Sequence, residues 1–121
     1  MSVPAYAFPK SARLRTSAEF RAVLGRRAGV AGRFFQVYFR SNACPGARLG
    51  VVAGRKAAGN AVHRNFVRRL IRETFRLNRS RLAQADFVVR VVRPVGRGDS
   101  LAAREELNEL LLRASSQCHA C

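Results

Sequence analysis

Apolar positions along the chain change period several times, and each change marks an element. In TSAEFRAVLGRR, Phe20, Val23 and Leu24 fall at helical spacing, and Thr16 or Ser17 can cap the start. A short helix follows, closed by Gly25 and Gly29. RFFQVYFR, residues 33–40, alternates instead, with Phe35, Val37 and Phe39 on one face and Phe34, Gln36, Tyr38 and Arg40 on the other. The first face reads as core. The second is aromatic and polar together, which suits base stacking and equally suits a second half-buried face. SNACPG makes a turn, and RLGVVAG reads as a second strand returning alongside. DFVVRVV, residues 86–92, is a third main strand, and RPVGRGDS is a loop ending in Asp99 or Ser100 as a helix cap. LAAREELNELLLRA is a final helix that buries Leu107, Leu110, Leu111 and Ala114 and turns its acids outward. Residues 1–12 read as an irregular arm and 115–121 as a flexible tail, leaving one domain in the 121-residue chain.

Between the strands lies GNAVHRNFVRRLIRETFRL, residues 59–77. Asn60 is a good N-cap, so a helix starts there and runs to Asn78. Advancing about 100° per residue from Val62, the residues Val62, Phe66, Leu77, Leu70, Val67, Ile71 and Phe75 cover an arc of about 220°. Arg68, Arg79, Arg72, Asn65, Arg76 and Arg69 occupy the arc from about 240° to 340°, with Arg64 at the border near 200°. The apolar arc anchors the helix on a sheet. The other is a ladder of guanidinium groups with Glu73 as the one nearby acid, and an anion is expected along it.

Charge sharpens that expectation. The chain carries 23 Lys and Arg against 7 Asp and Glu, a net charge of +16, and only Lys10 and Lys56 are lysines. Arginine's planar fork of donors matches phosphate and stacks on bases. Residues 1–85 hold 18 of the basic side chains against Glu19 and Glu73 alone, while residues 86–121 hold five of each sign. Such one-sidedness destabilises a fold through self-repulsion unless a polyanion neutralises it, so nucleic acid is the expected partner. Arg55 and Lys56, in GRKAAGN, stand just before the amides of the long helix, where anions bind. This segment is no nucleotide-binding P-loop, because Asn60 and Ala61 stand where Lys and Ser or Thr are required.

Catalytic sets are missing from the sequence. It has no close carboxylate pair, no Ser/His/Asp set and no histidine cluster, and His63 reads as a surface or packed residue. A self-sufficient metal nuclease is therefore disfavoured. No apolar run reaches the roughly 20 residues of a membrane span, and the N-terminus lacks a secretory core, so a cytoplasmic protein without a membrane is expected. Cys44, Cys118 and Cys121 read as reduced thiols; Cys118, His119 and Cys121 have ligand spacing but lack a fourth ligand.

GRKAAGNAVHRNFVRRLIRETFR, residues 54–76, resembles the signature of the bacterial ribonuclease P protein component, in which a lysine-containing loop leads through Gly-Asn-Ala-Val into an Arg-Asn-x-x-basic-Arg helix. The resemblance extends from the Arg-Leu before the first helix, through EFRAVL and the aromatic strand, to the terminal helix. Phe66 stands where a third basic residue usually follows Arg-Asn, and Leu24 where an aromatic is frequent. It implies an α+β fold, an α-β-β-β-α-β-α sandwich with a left-handed βαβ crossover, like the second domain of ribosomal protein S5. It also implies a subunit that performs no catalysis itself: a large RNA with Mg2+ is the catalyst, no cofactor is bound by the protein, and no obligate protein partner is needed. The protein binds that RNA and the 5′ leader of precursor tRNA, assisting endonucleolytic removal of the leader.

Carried onto this chain, the resemblance implies RNA contacts at Arg55, Lys56, Asn60, Arg64, Asn65, Arg68, Arg69, Arg72 and Arg76. It implies a leader cleft lined by Phe20, Leu24, Gln36, Tyr38, Arg64, Arg68 and Arg72, and candidate metal contacts at Asn60 and Asn65. The alternative reading is a basic ribosome-associated structural protein that binds RNA without processing it.

Overall fold

A computed structural model describes residues 12–26, 28–42 and 46–119. The chain runs α1 (Ser17–Leu24), β1 (Gly29–Ala31), β2 (Phe35–Ser41), β3 (Arg48–Val52), α2 (Arg55–Ala58), α3 (Ala61–Asn78), β4 (Ala85–Val91) and α4 (Ser100–His119). This is the expected α-β-β-β-α-β-α order with one short extra helical turn, α2, before the long helix. The first strand, β1, was not legible from periodicity, because three residues of Gly-Val-Ala carry no alternation. The expected arm lies, except for Ala12, outside the described residues, as do Cys44 and Cys121.

The four strands lie in the order β1-β2-β4-β3. β3 does not return alongside β2 as the intervening turn suggested. Instead β4 inserts between them, antiparallel to β2 and parallel to β3. The hydrophobic run of β4 explains the choice: a strand covered on both faces belongs in the middle of a sheet. Phe87, Val89 and Val91 join the main core beneath α3 and α4, while Val88 lies on the opposite face with Leu14 and Val23 beneath α1. Helices α3 and α4 therefore cover one face, and the short α1 part of the other.

Local chemistry sets the helix boundaries. Thr16 is the cap of α1, accepting the Glu19 N–H at 3.1 Å while the Glu19 carboxylate accepts the Thr16 N–H at 2.9 Å, a reciprocal capping box. Asn60 caps α3 as expected, its Oδ1 accepting the His63 N–H at 3.0 Å. In α3 the buried positions are Val67, Leu70, Ile71, Thr74, Phe75 and Asn78, and Phe75 meets Phe87 of β4 with ring centroids 6.3 Å apart. Val62 and Leu77, at the edge of the predicted apolar arc, are instead exposed, so the arc that contacts the sheet is narrower than the sequence suggested. Phe66 packs against the main core, which accounts for an aromatic in a place where the family prefers a basic residue.

Three further expectations change. Phe34 precedes β2 and is buried in the main core, with the Arg33 guanidinium 4.9 Å above its ring, rather than joining the polar face. Glu106 does not face outward. Its carboxylate accepts the backbone N–H groups of Arg33 at 2.7 Å, Phe34 at 2.8 Å and Phe35 at 3.0 Å, tying α4 to the turn between β1 and β2. Residues 115–119 are no tail but the last turns of α4: Ser115 accepts the Ala83 N–H at 2.7 Å, and Cys118 is buried with its Sγ 3.2 Å from Ser41 Oγ. Among the described residues no helix is long and apolar enough to cross a membrane.

The Glu106→Ala variant leaves three turn amides without their charged acceptor, and a loss of about 2–4 kcal/mol in urea unfolding is expected. A loss below about 0.5 kcal/mol would mean that the turn holds itself. Stability also depends on pH through Glu19, whose carboxyl is held below its ordinary value by the amides of Arg15 and Thr16, with Arg48 adding a smaller effect. A carboxyl with a depressed folded-state pKa contributes its stability above the unfolded value and loses it as pH falls through the folded one. Thermal stability should accordingly decline as pH drops below about 4.5, and Glu19→Gln should make that decline shallower. Parallel pH profiles for the two proteins would remove Glu19 from the account.

Candidate nucleic-acid interface

The face of the sheet that α1 only partly covers is organised in rows set by strand register. Arg40, Asp86 and Arg48 form one row; Gly29, Tyr38, Val88 and Gly50 form the next; Ala31, Gln36, Arg90 and Val52 form a third. Helix α1 sits over the second row. Val23 is fully buried there with Leu14 and Val88, and Phe20, Leu24, Tyr38 and Val52 pack around them. Gly50 is the residue this packing requires: a Cβ in its place would lie 2.6 Å from the Phe20 ring.

The first row fastens α1 in place. Arg48 Nε and Nη2 each reach the buried Asp86 carboxylate at 2.7 Å, and Arg48 Nη1 reaches Glu19 of α1 at 3.1 Å. Asn42 completes the set with an N–H donated to Asp86 at 2.6 Å. The chain before α1 is held too, because Leu14 N–H donates to the Leu49 carbonyl at 2.8 Å and Arg13 bridges to β3.

Helix α3 then brings its ladder to the edge of this face. A groove of about 570 Å³ is lined by Asn65, Arg68, Arg69, Arg72, Glu73 and Arg76 on one side and by Arg13 on the other. A cavity of about 200 Å³ opens beside it, shared by Arg13, Arg68 and Arg72 and floored by Leu14, Phe20, Leu49 and Gly50. Burial lowers the Arg72 guanidinium below its ordinary value, and the charges of Arg13 and Arg68 lower it further. The Nε atoms of Arg64 and Arg68 are buried with no acceptor among the described residues. Arg68 belongs to the lining of both the groove and the cavity, whereas Arg64 belongs to neither. An anion in the cavity meets three guanidinium groups and an aromatic floor, which is the chemistry of a phosphate beside a stacked base.

The expected cleft residues divide into groups. Phe20, Arg68 and Arg72 converge on the cavity just described. Gln36 and Tyr38 line a separate cavity of about 140 Å³ with Gly29, Val30 and Ala31, where the Tyr38 hydroxyl donates to Gln36 Oε1 at 2.9 Å. Leu24 and Arg64 line neither: Leu24, at the end of α1, packs against the Leu14–Val23–Val88 cluster, and Arg64 is half-buried at the border of the ladder. Arg69 and Asn65 are exposed in the groove, and Arg55 and Lys56 are exposed on α2. Arg79 leaves the ladder, since it lies beyond the end of α3 and its Nε donates to the Ala47 carbonyl at 3.0 Å. The metal expectation is divided in the same way. Asn65 lines the groove and Asn60 does not, and the Asn60 Oδ1 is engaged as the cap of α3. One side chain escaped sequence reasoning: Arg13 becomes visible as a wall of the groove only through its bridge to β3.

Known proteins resemble this chain in both sequence and overall fold. A family model described as Ribonuclease P matches residues 8–115. The ribonuclease P protein component of Coxiella burnetii is 37% identical over 105 residues, covering 87% of each chain, and that of Chromobacterium violaceum is 44% identical over 86 residues, covering 71% of each. The solved ribonuclease P protein from Thermotoga maritima superposes with a TM-score of 0.70 at 32% identity, covering 84% of this chain and 96% of that one. A Staphylococcus aureus RNase P protein mutant with defective mRNA degradation activity gives 0.73 at 30% identity, covering 87% and 89%. With the match extending over most of the chain in both sequence and fold, this chain belongs to the ribonuclease P protein family.

Proposed function

We propose that this protein is the protein subunit of the ribonucleoprotein ribonuclease P, acting in the cytoplasm on precursor tRNA. It binds the catalytic RNA and the 5′ leader, and so assists the endonucleolytic step that leaves a mature tRNA 5′ end. The observation that carries the reading is the convergence of Arg13, Arg68 and Arg72 over the Phe20–Gly50 floor. Guanidinium groups hold a single strand by its phosphates without reading its sequence, and the ring gives one base a surface to stack on. The ladder beyond, with Arg69 exposed and Arg76 half-buried, and the exposed Arg55–Lys56 corner offer basic surface to the RNA subunit.

Hydrolysis is assigned to the RNA subunit with Mg2+. The donor set in the protein supports this division. The groove's one carboxylate, Glu73, lies 3.7 Å from Arg104 of α4, and among the described residues no three His, Cys, Asp or Glu side chains converge as metal ligands. Mg2+ is held by carboxylates, phosphates and water, and a groove of guanidinium groups suits the phosphates that accompany the ion rather than the ion itself.

Purified protein should therefore leave precursor tRNA intact at every Mg2+ concentration, and addition of the cognate RNA subunit should yield mature 5′ ends. Cleavage by ribonuclease-free protein alone would sink the assignment. The electrostatic part has its own measurement. Each neutralised phosphate releases counterions, so log affinity for RNA should fall linearly with log salt, and Arg68→Ala and Arg72→Ala should each reduce the slope by roughly one contact. Unchanged slopes in both variants would place the ladder away from RNA.

A further inference from the structure

One end of the sheet gathers cations from three separate segments, none of which belongs to the ladder on α3. The turn between β1 and β2, the exit of β3 and the exit of β4 all lie there, since β3 and β4 run parallel and β2 runs opposite to them. The turn carries Arg33, β4 continues into Arg93 and Arg97, and β3 continues into Arg55 and Lys56 of α2. Register sets the first two near one another. Phe35 stands opposite Val91, and the Val92 N–H donates to the Phe34 carbonyl at 2.9 Å, so Arg33 and Arg93 flank the last hydrogen-bonded rung between the two strands. All five cations are exposed, and among the described residues no ion pair engages them. Two acids lie at this end, and each holds backbone amides instead: Glu106 accepts those of Arg33, Phe34 and Phe35, and Asp99 accepts the Gly96 N–H at 3.2 Å.

The same contacts make this end stiff. The Gly32 N–H donates to the Phe35 carbonyl at 2.8 Å, closing the turn, and the Arg33 guanidinium rests 4.9 Å from the centre of the buried Phe34 ring. Before α4, the Asp99 N–H returns to the Gly96 carbonyl at 3.0 Å, so Arg97 also projects from a closed turn. Cations on a fixed backbone lose little freedom when a phosphate arrives, and cations gathered with no acid among them repel until an anion does. Two strand spacings separate β2 from β3, about 10 Å, so the cations are spread along a line instead of converging on a point. That form suits the backbone of a nucleic acid and not a single small anion. We infer that this end of the sheet is a second anchoring surface for the RNA subunit, in which Arg33, Arg93 and Arg97 extend the Arg55–Lys56 corner across to the β1–β2 turn and hold RNA by its phosphates. The inference rests on the subunit reading and deepens it with residues outside both the signature segment and the leader cavity. The cavity floored by Phe20 lies on the face that α1 partly covers, whereas Arg93 and Arg97 lead into α4 on the other. The protein thereby holds its RNA at the end of the sheet while that cavity stays open to substrate.

The test measures affinity of the full-length protein for the cognate RNA subunit alone across a salt series. A second arm measures affinity of the reconstituted holoenzyme for mature tRNA, with Ca2+ replacing Mg2+ to block turnover. Arg93→Ala and Arg97→Ala should each weaken binding of the RNA subunit roughly three- to tenfold and reduce the log–log salt slope by about one, with Arg93→Lys recovering most of the loss. Holoenzyme affinity for mature tRNA should stay unchanged, and thermal melts of the variants should match the parent, because both side chains are exposed. Arg113→Ala removes the same charge from the far half of α4, where Glu109 pairs with it, and should leave the affinity for the RNA subunit as it was. Unchanged affinity and slope in Arg93→Ala and Arg97→Ala would overturn the surface, and so would an equal loss in Arg113→Ala, which would reduce the effect to net charge. A loss confined to mature tRNA would assign the surface to the tRNA body and overturn the RNA-subunit contact. Failure of the reading beneath looks different: the parent protein itself would neither bind the RNA subunit nor support cleavage.

Discussion

The interface depends on one side chain, Arg48, held between two carboxylates. Asp86 lies buried on the central strand, where an isolated charge costs several kcal/mol, and the fork of Arg48 with the amide of Asn42 compensates it. The remaining nitrogen of the same guanidinium reaches Glu19 on α1. Helix α1 buries Val23 fully and packs Phe20 and Leu24 around it, and the ion pair adds a polar fastening to that small apolar contact. The bidentate pair with Asp86 fixes the Arg48 guanidinium in one geometry, and so fixes the direction in which its third nitrogen meets Glu19. Because Glu19 also closes the capping box, the start of the helix and its docking share a single carboxylate.

From that fixed helix follows the opposition of two unlike walls. Phe20 comes down on Gly50, and the segment carrying Arg13 pairs with β3, so an apolar floor and a guanidinium group stand opposite Arg68 and Arg72. The apolar arc of α3 pays for this placement by burying Val67, Leu70, Ile71 and Phe75 in the main core. The protein thus gathers Arg13, Arg68 and Arg72 around one cavity, where burial first and the two neighbouring charges second lower the Arg72 guanidinium. An anion seated among these guanidinium groups would offset their mutual repulsion.

Opposite α1, the second layer is held by contacts that bridge distant parts of the chain. Glu106 of α4 gathers three amides of the β1–β2 turn, Ser115 holds the approach to β4, and Cys118 closes over Ser41. Each joins residues more than thirty positions apart in sequence, and together they keep the edge strands in register with the centre. Register also decides which side chains are neighbours on the open face, setting Tyr38 beside Val88 and Arg40 beside Asp86.

What could be read from the sequence alone was whatever a local period or a cap determines. Thr16 and Asn60 as caps, the span of α3, the alternation of β2, the buried stripe of α4 and the clustering of arginine on one side of α3 depend on residues within a few positions of one another. The motif around Arg64 and Asn65 was likewise legible, because the family's signature is contiguous. What tertiary structure decided was every relation across the sheet. The insertion of β4 between β2 and β3, the burial of Phe34, the inward turn of Glu106 and the helical end at residues 115–119 each depend on a partner remote in sequence. The division of the expected cleft residues between two cavities, and the entry of Arg13 into the groove, have the same cause: spacing along a chain says which face a side chain takes, but only strand order and register say what stands beside it.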